Sequence, residues 1–290
     1  STPIKSSAAS DVYKRQVVKG ITTSGSDSSE ELRDVSVFQF SDGNLYKTQQ
    51  LTPESNGQSS ISALSGSRLY FLTGVTLPVQ EEGITEEEFR NMTIGEGLHN
   101  NSAPDFMAAI VELESTPQTR SNQEINVGMK RGVARIDLNT TADSKTLIKE
   151  IIVKDAPAET YPFIENASAS DKTVSYLKKF DPAFGGEQQG IFRIFESKRP
   201  VNIILRGTYN EIPISLKMQL PSIERNKVYE LSVLNVGATV EGIFEIKPWE
   251  EGETIIGKPD TEHRILLNAS QSKIPEGVTV DYENLSLIHI

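Results

Sequence analysis

Residues 222–249 read SIERNKVYELSVLNVGATVEGIFEIKPW, and this stretch decides the fold. Arg225-Asn226 stands ahead of a Tyr229-led apolar run, Val228–Val233. A short connection containing Gly237 follows, then a second run, Ile243–Ile246, and then Lys247-Pro248-Trp249 with an acidic tail. Two strand-like runs joined by a short glycine-containing link read as an antiparallel hairpin. In its setting it is the closing hairpin of a β-sandwich, and it carries no catalytic motif.

Working outward, the chain is dominated by short strand-like runs separated by turn signals, the pattern of an all-β sandwich protein. Val17–Thr22 (VVKGIT) is a first strand, and Thr23–Glu31 is a polar link. Val35–Phe40 (VSVFQF) is apolar on both faces, which places it in mid-sheet, covered on both sides. Ser67–Thr76 is another central strand, in which Gly74 marks a bulge. Thr85–Met92 is the best helix candidate: Thr85 and Glu88 form a capping box, and the acidic first turn suits the helix dipole. Pro104–Glu114 is too short for periodicity to separate helix from strand.

Ile125–Leu138 (INVGMKRGVARIDL) carries a finer signal. Ile125, Val127 and Met129 alternate on one parity, and Ala134, Ile136 and Leu138 on the other. A strand swaps parity without turning over by inserting one residue, so Gly132 is the expected bulge. Leu147–Val153 completes a first sandwich, and Ala156-Pro157 begins the crossing to a second. There, Ser175–Gly190 is expected to be a loop, followed by strands at Ile191–Phe195 and Val201–Leu205. Ile212–Leu220 (IPISLKMQL) has the cleanest alternation in the chain, with Pro213 placing it near an edge. Beyond Trp249, Glu250–Asp260 is an acidic linker, and His263–Leu267 and Gly277–Val280 read as the opening strands of a third β-domain.

The expected organisation is therefore a first sandwich over 17–155, a second over 156–252, and a linker with the start of a third domain over 253–284. Ser6–Gln16 (SSAASDVYKRQ) and Leu285–Ile290 (LSLIHI) resemble translated adapter read-through at the ends of assembled sequences, so 1–16 and 285–290 are set aside from fold reasoning.

Composition excludes several function classes. A net charge of −11 lacks the basic footprint that phosphate backbones require, so nucleic acid is not an expected partner. No apolar run approaches the ~20 residues that span a bilayer, leaving a lipid anchor outside this sequence as the only membrane attachment expected. The absence of cysteine excludes disulfides and thiolate metal sites. The three histidines, His99, His263 and His289, are isolated and lie in no ligand spacing. Acidic residues fall in runs that read as solvated faces or linkers. Glu196 alone adjoins a strongly apolar strand, where ending the strand or pairing with Arg193 is the expected role. Lys130, Arg131 and Arg135 form a basic cluster read as salt bridging and edge protection. Tyr229 and Trp249 are expected core or core-rim aromatics, the indole N–H reaching a backbone carbonyl. No GxSxG elbow, Walker loop or Rossmann fingerprint occurs. Neither enzymatic activity nor a cofactor is expected; a secreted hydrolase is the weakest reading.

Three segments in order carry a resemblance to a known family. Met129–Leu138 (MKRGVARIDL), Ile191–Ser197 (IFRIFES) and Ile223–Val233 with Lys247-Pro248-Trp249 resemble the corresponding strands of Bacteroidetes fimbrillins, the subunits of type V pili. The likeness spans roughly Val17 to Gly252, and its motif positions are Arg131, Ala134, Arg135, Arg225, Asn226, Tyr229, Pro248 and Trp249. It implies two tandem transthyretin-like Greek-key sandwiches in a lipoprotein exported to the cell surface. It further implies that an Arg-specific protease removes the first strand and that a neighbouring subunit's strand fills the groove. Here Val17, Val18 and Ile21 would belong to the displaced strand, and Arg33 would be the cleavage point. Partners would be other fimbrial subunits and a host or bacterial surface ligand. Sequence beyond the second sandwich departs from a simple stalk subunit and suits a tip or accessory role. The alternative is a surface lipoprotein that binds carbohydrate through tandem sandwiches, with Tyr161, Phe163, Tyr176 and Tyr209 as a sugar platform.

Overall fold

The computed structural model describes residues 14–24, 34–52, 59–79, 83–95, 102–115, 124–141, 144–236, 239–249 and 265–268. The N-terminal part contains β1 (Lys14–Ser24), β2 (Val35–Ser41), β3 (Asn44–Leu51), β4 (Ser59–Ala63), β5 (Arg68–Thr73), helix α1 (Glu86–Arg90), β6 (Ile94–Gly95), β7 (Met107–Glu112) and β8 (Glu124–Arg131). Seven of these strands form one sheet in the order β3-β2-β5-β7-β8-β1-β4. The VSVFQF run lies inside it, between β3 and β5, as expected. Its two apolar faces have different destinations. Val35 and Val37 enter a core with Leu69, Phe71, Ile125, Val127 and Met129, whereas Phe38 and Phe40 enter a separate aromatic cluster.

The two ends of this sheet meet. Gln49 of β3 donates from Nε2 to the carbonyl of Ser62 in β4 (3.1 Å) and accepts from the Ser62 amide (3.4 Å). One carboxamide thus joins the edge strands where no ladder does, and the sheet wraps around its core.

The capping box of α1 is formed: Thr85 Oγ1 accepts from the Glu88 amide, and the Glu88 carboxylate accepts from the Thr85 amide. Pro104–Glu114 resolves as strand, paired with β5 along Met107–Glu112. Gly74 does not form a bulge. It ends β5 at positive φ (+87°), where a Cβ would strike the backbone of Asp105 and Phe106.

The C-terminal part contains β9 (Val133–Asn139), β10 (Thr146–Pro157), β11 (Glu159–Thr160), β12 (Thr173–Phe184), β13 (Glu187–Phe195), β14 (Val201–Tyr209), β15 (Ile212–Leu220), β16 (Lys227–Val236), β17 (Thr239–Pro248) and β18 (Ile265–Asn268). Sheets β12-β10-β14-β15 and β13-β9-β16-β17-β18 enclose a second core. The closing hairpin forms as read, pairing Lys227–Val236 with Thr239–Pro248. Strand β15 is an edge, with Ile214, Leu216, Met218 and Leu220 buried on one face.

Several expectations are corrected. Ser175–Gly190 is not a loop: most of it forms β12 and the start of β13, which turn at Gly185-Gly186. Its alternation is masked because the apolar positions, Val174, Tyr176 and Phe180, share their face with Lys178. Gly132 is not a bulge within one sheet but the point where the chain leaves the first sheet and enters another. Both parities are real, and they serve different cores: Ile125, Val127 and Met129 the first, Ala134, Ile136 and Leu138 the second. Leu147–Val153 does not complete the N-terminal sheet. As part of β10 it pairs with β12 and β14, so the sheets divide at Gly132 rather than near Ala156. Within the segment expected to open a further module, Ile265–Asn268 extends the sheet of β17; Gly277–Val280 lies outside the described residues. Lys14–Gln16, set aside as foreign sequence, pairs with β4 as part of β1.

Candidate functional site: an internal first strand and an arginine–tryptophan junction

The first feature is the slot that holds β1. Lys14–Val18 pairs antiparallel with β4, and Val17–Ser24 pairs parallel with β8, with a register shift between Val18 and Ile21. Val17 stands opposite Ser60 and Glu124, Val18 opposite Ser59 and Ile125, and Ile21 opposite Val127. The first strand therefore fills an interior position, flanked by the buried residues Ile61, Ala63, Ile125, Val127 and Met129 of its neighbours. Arg33 lies outside the described residues.

The second feature is the junction between the two parts, where most of the motif positions converge. Strand β8 ends in Arg131, whose side chain is completely buried and donates to Asp105 Oδ2 (2.7 Å). Its guanidinium lies 4.6 Å from the centre of the Trp249 ring, and Arg135 approaches the same ring at 5.1 Å. A cation over an indole face is attracted by the ring quadrupole, more strongly where water is excluded. Arg135 is held in turn by Asp137 (3.0 Å), whose other oxygen accepts from the Gly190 amide (2.7 Å). Asp105 also receives Arg193 Nε at 3.0 Å.

Arg225 forms a second buried pair, with Glu196, and donates to the carbonyls of Pro162, Tyr161 and Ile164. One guanidinium thereby fixes the 161–164 segment against the closing hairpin. Asn226 sits at positive φ (+58°), its amide donating to Val133 O and its carbonyl accepting from the Trp249 amide. Tyr229 is buried, and its hydroxyl accepts from the Glu224 amide (2.9 Å). Burial pushes this phenol up to about 12, against the pull of the donated amide hydrogen. Ala134 faces the second core, and Pro248 pairs with Lys227 through the backbone.

Around this polar centre lies an aromatic cluster drawn from both parts: Phe38, Phe40, Tyr70, Phe89 and Phe106 from one, Phe163, Phe195 and Trp249 from the other. Tyr70 meets Phe163 edge-on at 4.9 Å, and Phe89 stacks on it at 5.2 Å. A short ribbon, β6 with β11, also crosses between the parts. At the rim, the Tyr70 phenol is pushed up to about 12, first by burial and then by the Glu86 carboxylate it donates to. Burial pushes the Glu86 carboxyl itself up, but hydrogen bonds from Tyr70 and Arg68 outweigh it and hold the group below the ordinary range.

Several sequence expectations change at this site. Glu196 pairs with Arg225, not with Arg193. Arg131 and Arg135 are salt-bridged, to Asp105 and Asp137, as expected, but they do not protect an edge, because β8 and β9 are interior strands and both side chains are buried. Lys130 alone is exposed, 3.8 Å from Glu165. The Trp249 indole N–H has no acceptor among the described residues. Of the four aromatics considered for a sugar platform, Phe163 and Tyr176 are buried and Tyr161 and Tyr209 half-buried, so the four do not share one exposed surface. Asp105 and Phe106 carry no signal in the sequence, because they precede β7 and lie far along the chain from Arg131 and Gly132; Arg193 is read there only beside Glu196, whereas its partner is Asp105. Among the described residues, no group of three or more His, Asp or Glu side chains gathers to hold a metal ion.

No family model and no curated protein matches the sequence. Solved structures do. The tip fimbrial protein Mfa3 of Porphyromonas gingivalis, truncated at its C-terminus, matches with a TM-score of 0.61 at 10% identity, over 82% of this chain and 100% of that one. A candidate cell-adhesion protein from Parabacteroides distasonis matches with a TM-score of 0.55 at 13% identity, over 82% and 100% of the two chains. A fimbrial assembly protein from the same species matches with a TM-score of 0.52 at 12% identity, over 81% and 96%. At these identities the likeness is one of fold. It fits the fimbrillin resemblance carried by the sequence motifs.

Proposed function

We propose that the chain is a non-enzymatic structural subunit of a cell-surface fimbria, in a tip or accessory position, that assembles with other subunits by strand exchange and supports adhesion. The observation that carries this reading is the place of β1 between β4 and β8. The first described strand is thus paired on both sides, unlike an edge strand. Its departure would leave two facing unpaired strand edges over a core, a template for an incoming strand. The fold shared with fimbrial and adhesion proteins supports the same reading. Attachment to the outer membrane through a lipid anchor is part of the proposal, as is cleavage after Arg33 by an Arg-specific protease.

The test is limited digestion of the full chain with an Arg-specific protease, followed by size-exclusion chromatography and electron microscopy. Cleavage at Arg33 should release the β1 segment and yield polymers, and Arg33→Ala should abolish both. A chain that is cut at Arg33, loses β1 and still remains monomeric in the presence of intact subunits would remove the basis of the reading.

A further inference from the structure

We infer that the β1 slot and the Trp249 clamp are one coupled unit, so that loss of β1 loosens Trp249 and loosening of Trp249 weakens the hold on β1. The inference rests on the assembly reading for its biological occasion, but the coupling follows from how β8 is held.

Strand β8 has β1 on one side along Glu124–Lys130. On its other side β7 pairs with it only at Lys130 and Arg131, opposite Ala108 and Met107. Along Glu124–Met129, then, β1 is the sole strand partner of β8 among the described residues. Once β1 leaves, β8 hangs from its last two residues, and the second of these is Arg131. That side chain is the one stacked on Trp249 and paired with Asp105. The strand has no free hinge at this point. The Gly132 amide donates to Phe106 O (2.8 Å), and a Cβ at Gly132 would overlap the Phe106 ring, 1.9 Å from its Cζ. Motion of β8 is therefore passed into the junction rather than absorbed before it. On the far side, Val133 accepts from the Asn226 amide, and the Asn226 carbonyl accepts from the Trp249 amide. Backbone and side chain both connect the slot to the tryptophan. Two sites that bias one element must do so reciprocally.

Trp249 is the only tryptophan in the chain, so intrinsic fluorescence reads the clamp alone. Strand loss is produced in two ways. In one, the full chain carries an inserted specific protease site within 25–33, is cut, and has its β1 segment washed out in mild urea before return to buffer. In the other, an uncut Thr22→Pro variant disrupts the pairing of Thr22 with Gly128, because proline cannot donate to a ladder. Both should red-shift the Trp249 emission and raise its acrylamide quenching, and a synthetic peptide of residues 14–24 should restore the cut protein. Reciprocally, Trp249→Phe should weaken binding of the labelled peptide about tenfold. Amide exchange should quicken in β8 and around Trp249 while β10 and β14 stay protected.

The inference is overturned if Trp249 is unmoved with β1 demonstrably absent, or if Trp249→Phe leaves peptide affinity unchanged. It is equally overturned if β10 and β14 lose protection together with Trp249, since the change is then general unfolding. An unmoved Trp249 while the slot stands empty, in protein that goes on to polymerise once strands are supplied, defeats the coupling alone, and a shifted Trp249 without polymers defeats the assembly reading alone.

Discussion

Gly132→Ala is the sharpest probe of how the two parts are joined. The added methyl would lie within 2.6 Å of Phe106 Cε1 and closer still to Cε2 and Cζ, against an ordinary contact distance of 3.4–4 Å. Phe106 is 1% exposed and packs on Phe195 at 6.4 Å, so its ring cannot swing aside into solvent. Forcing an extra methyl into a packed site costs about 1–3 kcal/mol, and the lower entropy of an unfolded alanine returns roughly 0.4–1 kcal/mol. The net expectation is a loss of about 1–2 kcal/mol, seen as a lower urea midpoint followed through Trp249 fluorescence. The origin of that loss is tested by Phe106→Leu, which deletes the three ring atoms in the way. Phe106→Leu alone should also destabilise, by about 1–2 kcal/mol, through the void it leaves. In the double variant the alanine methyl enters that void, so the two costs should fall short of additivity by about 1–2 kcal/mol. Additivity to within about 0.5 kcal/mol, the behaviour of independent sites, would show that the Phe106 ring is not what excludes a side chain at Gly132.

Two further outcomes follow from the junction. Asp105→Ala removes the carboxylate from a fully buried Arg131 and should cost about 3–5 kcal/mol, whereas Arg131→Met, which leaves Asp105 beside Arg193, should cost clearly less; urea titration of both variants compares them. Tyr70 and Tyr229 both titrate near 12, above the ordinary tyrosine value of about 10. Their stabilising effect is complete below pH ~10, because both folded and unfolded phenols are then protonated; above it the unfolded phenols ionise first, so stability should fall between about pH 10 and 12. Ultraviolet titration of Tyr229→Phe should show one fewer late-ionising phenol. Unfolding that is independent of pH across that window would contradict the assignment.

The parts of the fold legible in the sequence are those in which one face meets one environment. Ile212–Leu220 has a core on one side and a half-exposed face on the other, so its alternation marks the strand, and Pro213 marks the edge position. The capping box was equally local, since Thr85 and Glu88 satisfy one another. The hairpin over 222–249 was recognisable because its two runs are neighbours in sequence as well as in the sheet. The failures share a different cause. The core that β10 serves is not legible in the sequence because its partners, β12 and β14, lie far along the chain, and nothing in Leu147–Val153 itself selects them. Strand β12 is not legible because Lys178 interrupts its half-buried face between Tyr176 and Phe180. The junction was visible only as scattered motif residues. Their meeting depends on Asp105, Phe106 and Arg193, which carry no local sign of their partners.

The stretch 125–138 passes between two cores. The change of parity between Met129 and Ala134 is real, and a bulge at Gly132 is the economical account if one core lies beside the strand. With two cores no extra residue is needed. Ile125, Val127 and Met129 face the first core; Ala134, Ile136 and Leu138 face the second. Between them Arg131, Val133 and Arg135 all meet the Trp249 cluster, continuing the first parity past Gly132. Alternation thus persists through the glycine, and the environment changes on each side of it. This also accounts for the arginines. At positions 131 and 135 the strand passes between cores, where a long stem can lie along apolar surface while its guanidinium reaches an indole face and a carboxylate. A leucine there would fill space without fixing direction, whereas Arg131 is oriented at once by Asp105 and by Trp249. Of the basic cluster Lys130, Arg131 and Arg135, the two buried arginines are salt-bridged without guarding an edge: they fasten the run that passes from one sheet into the next.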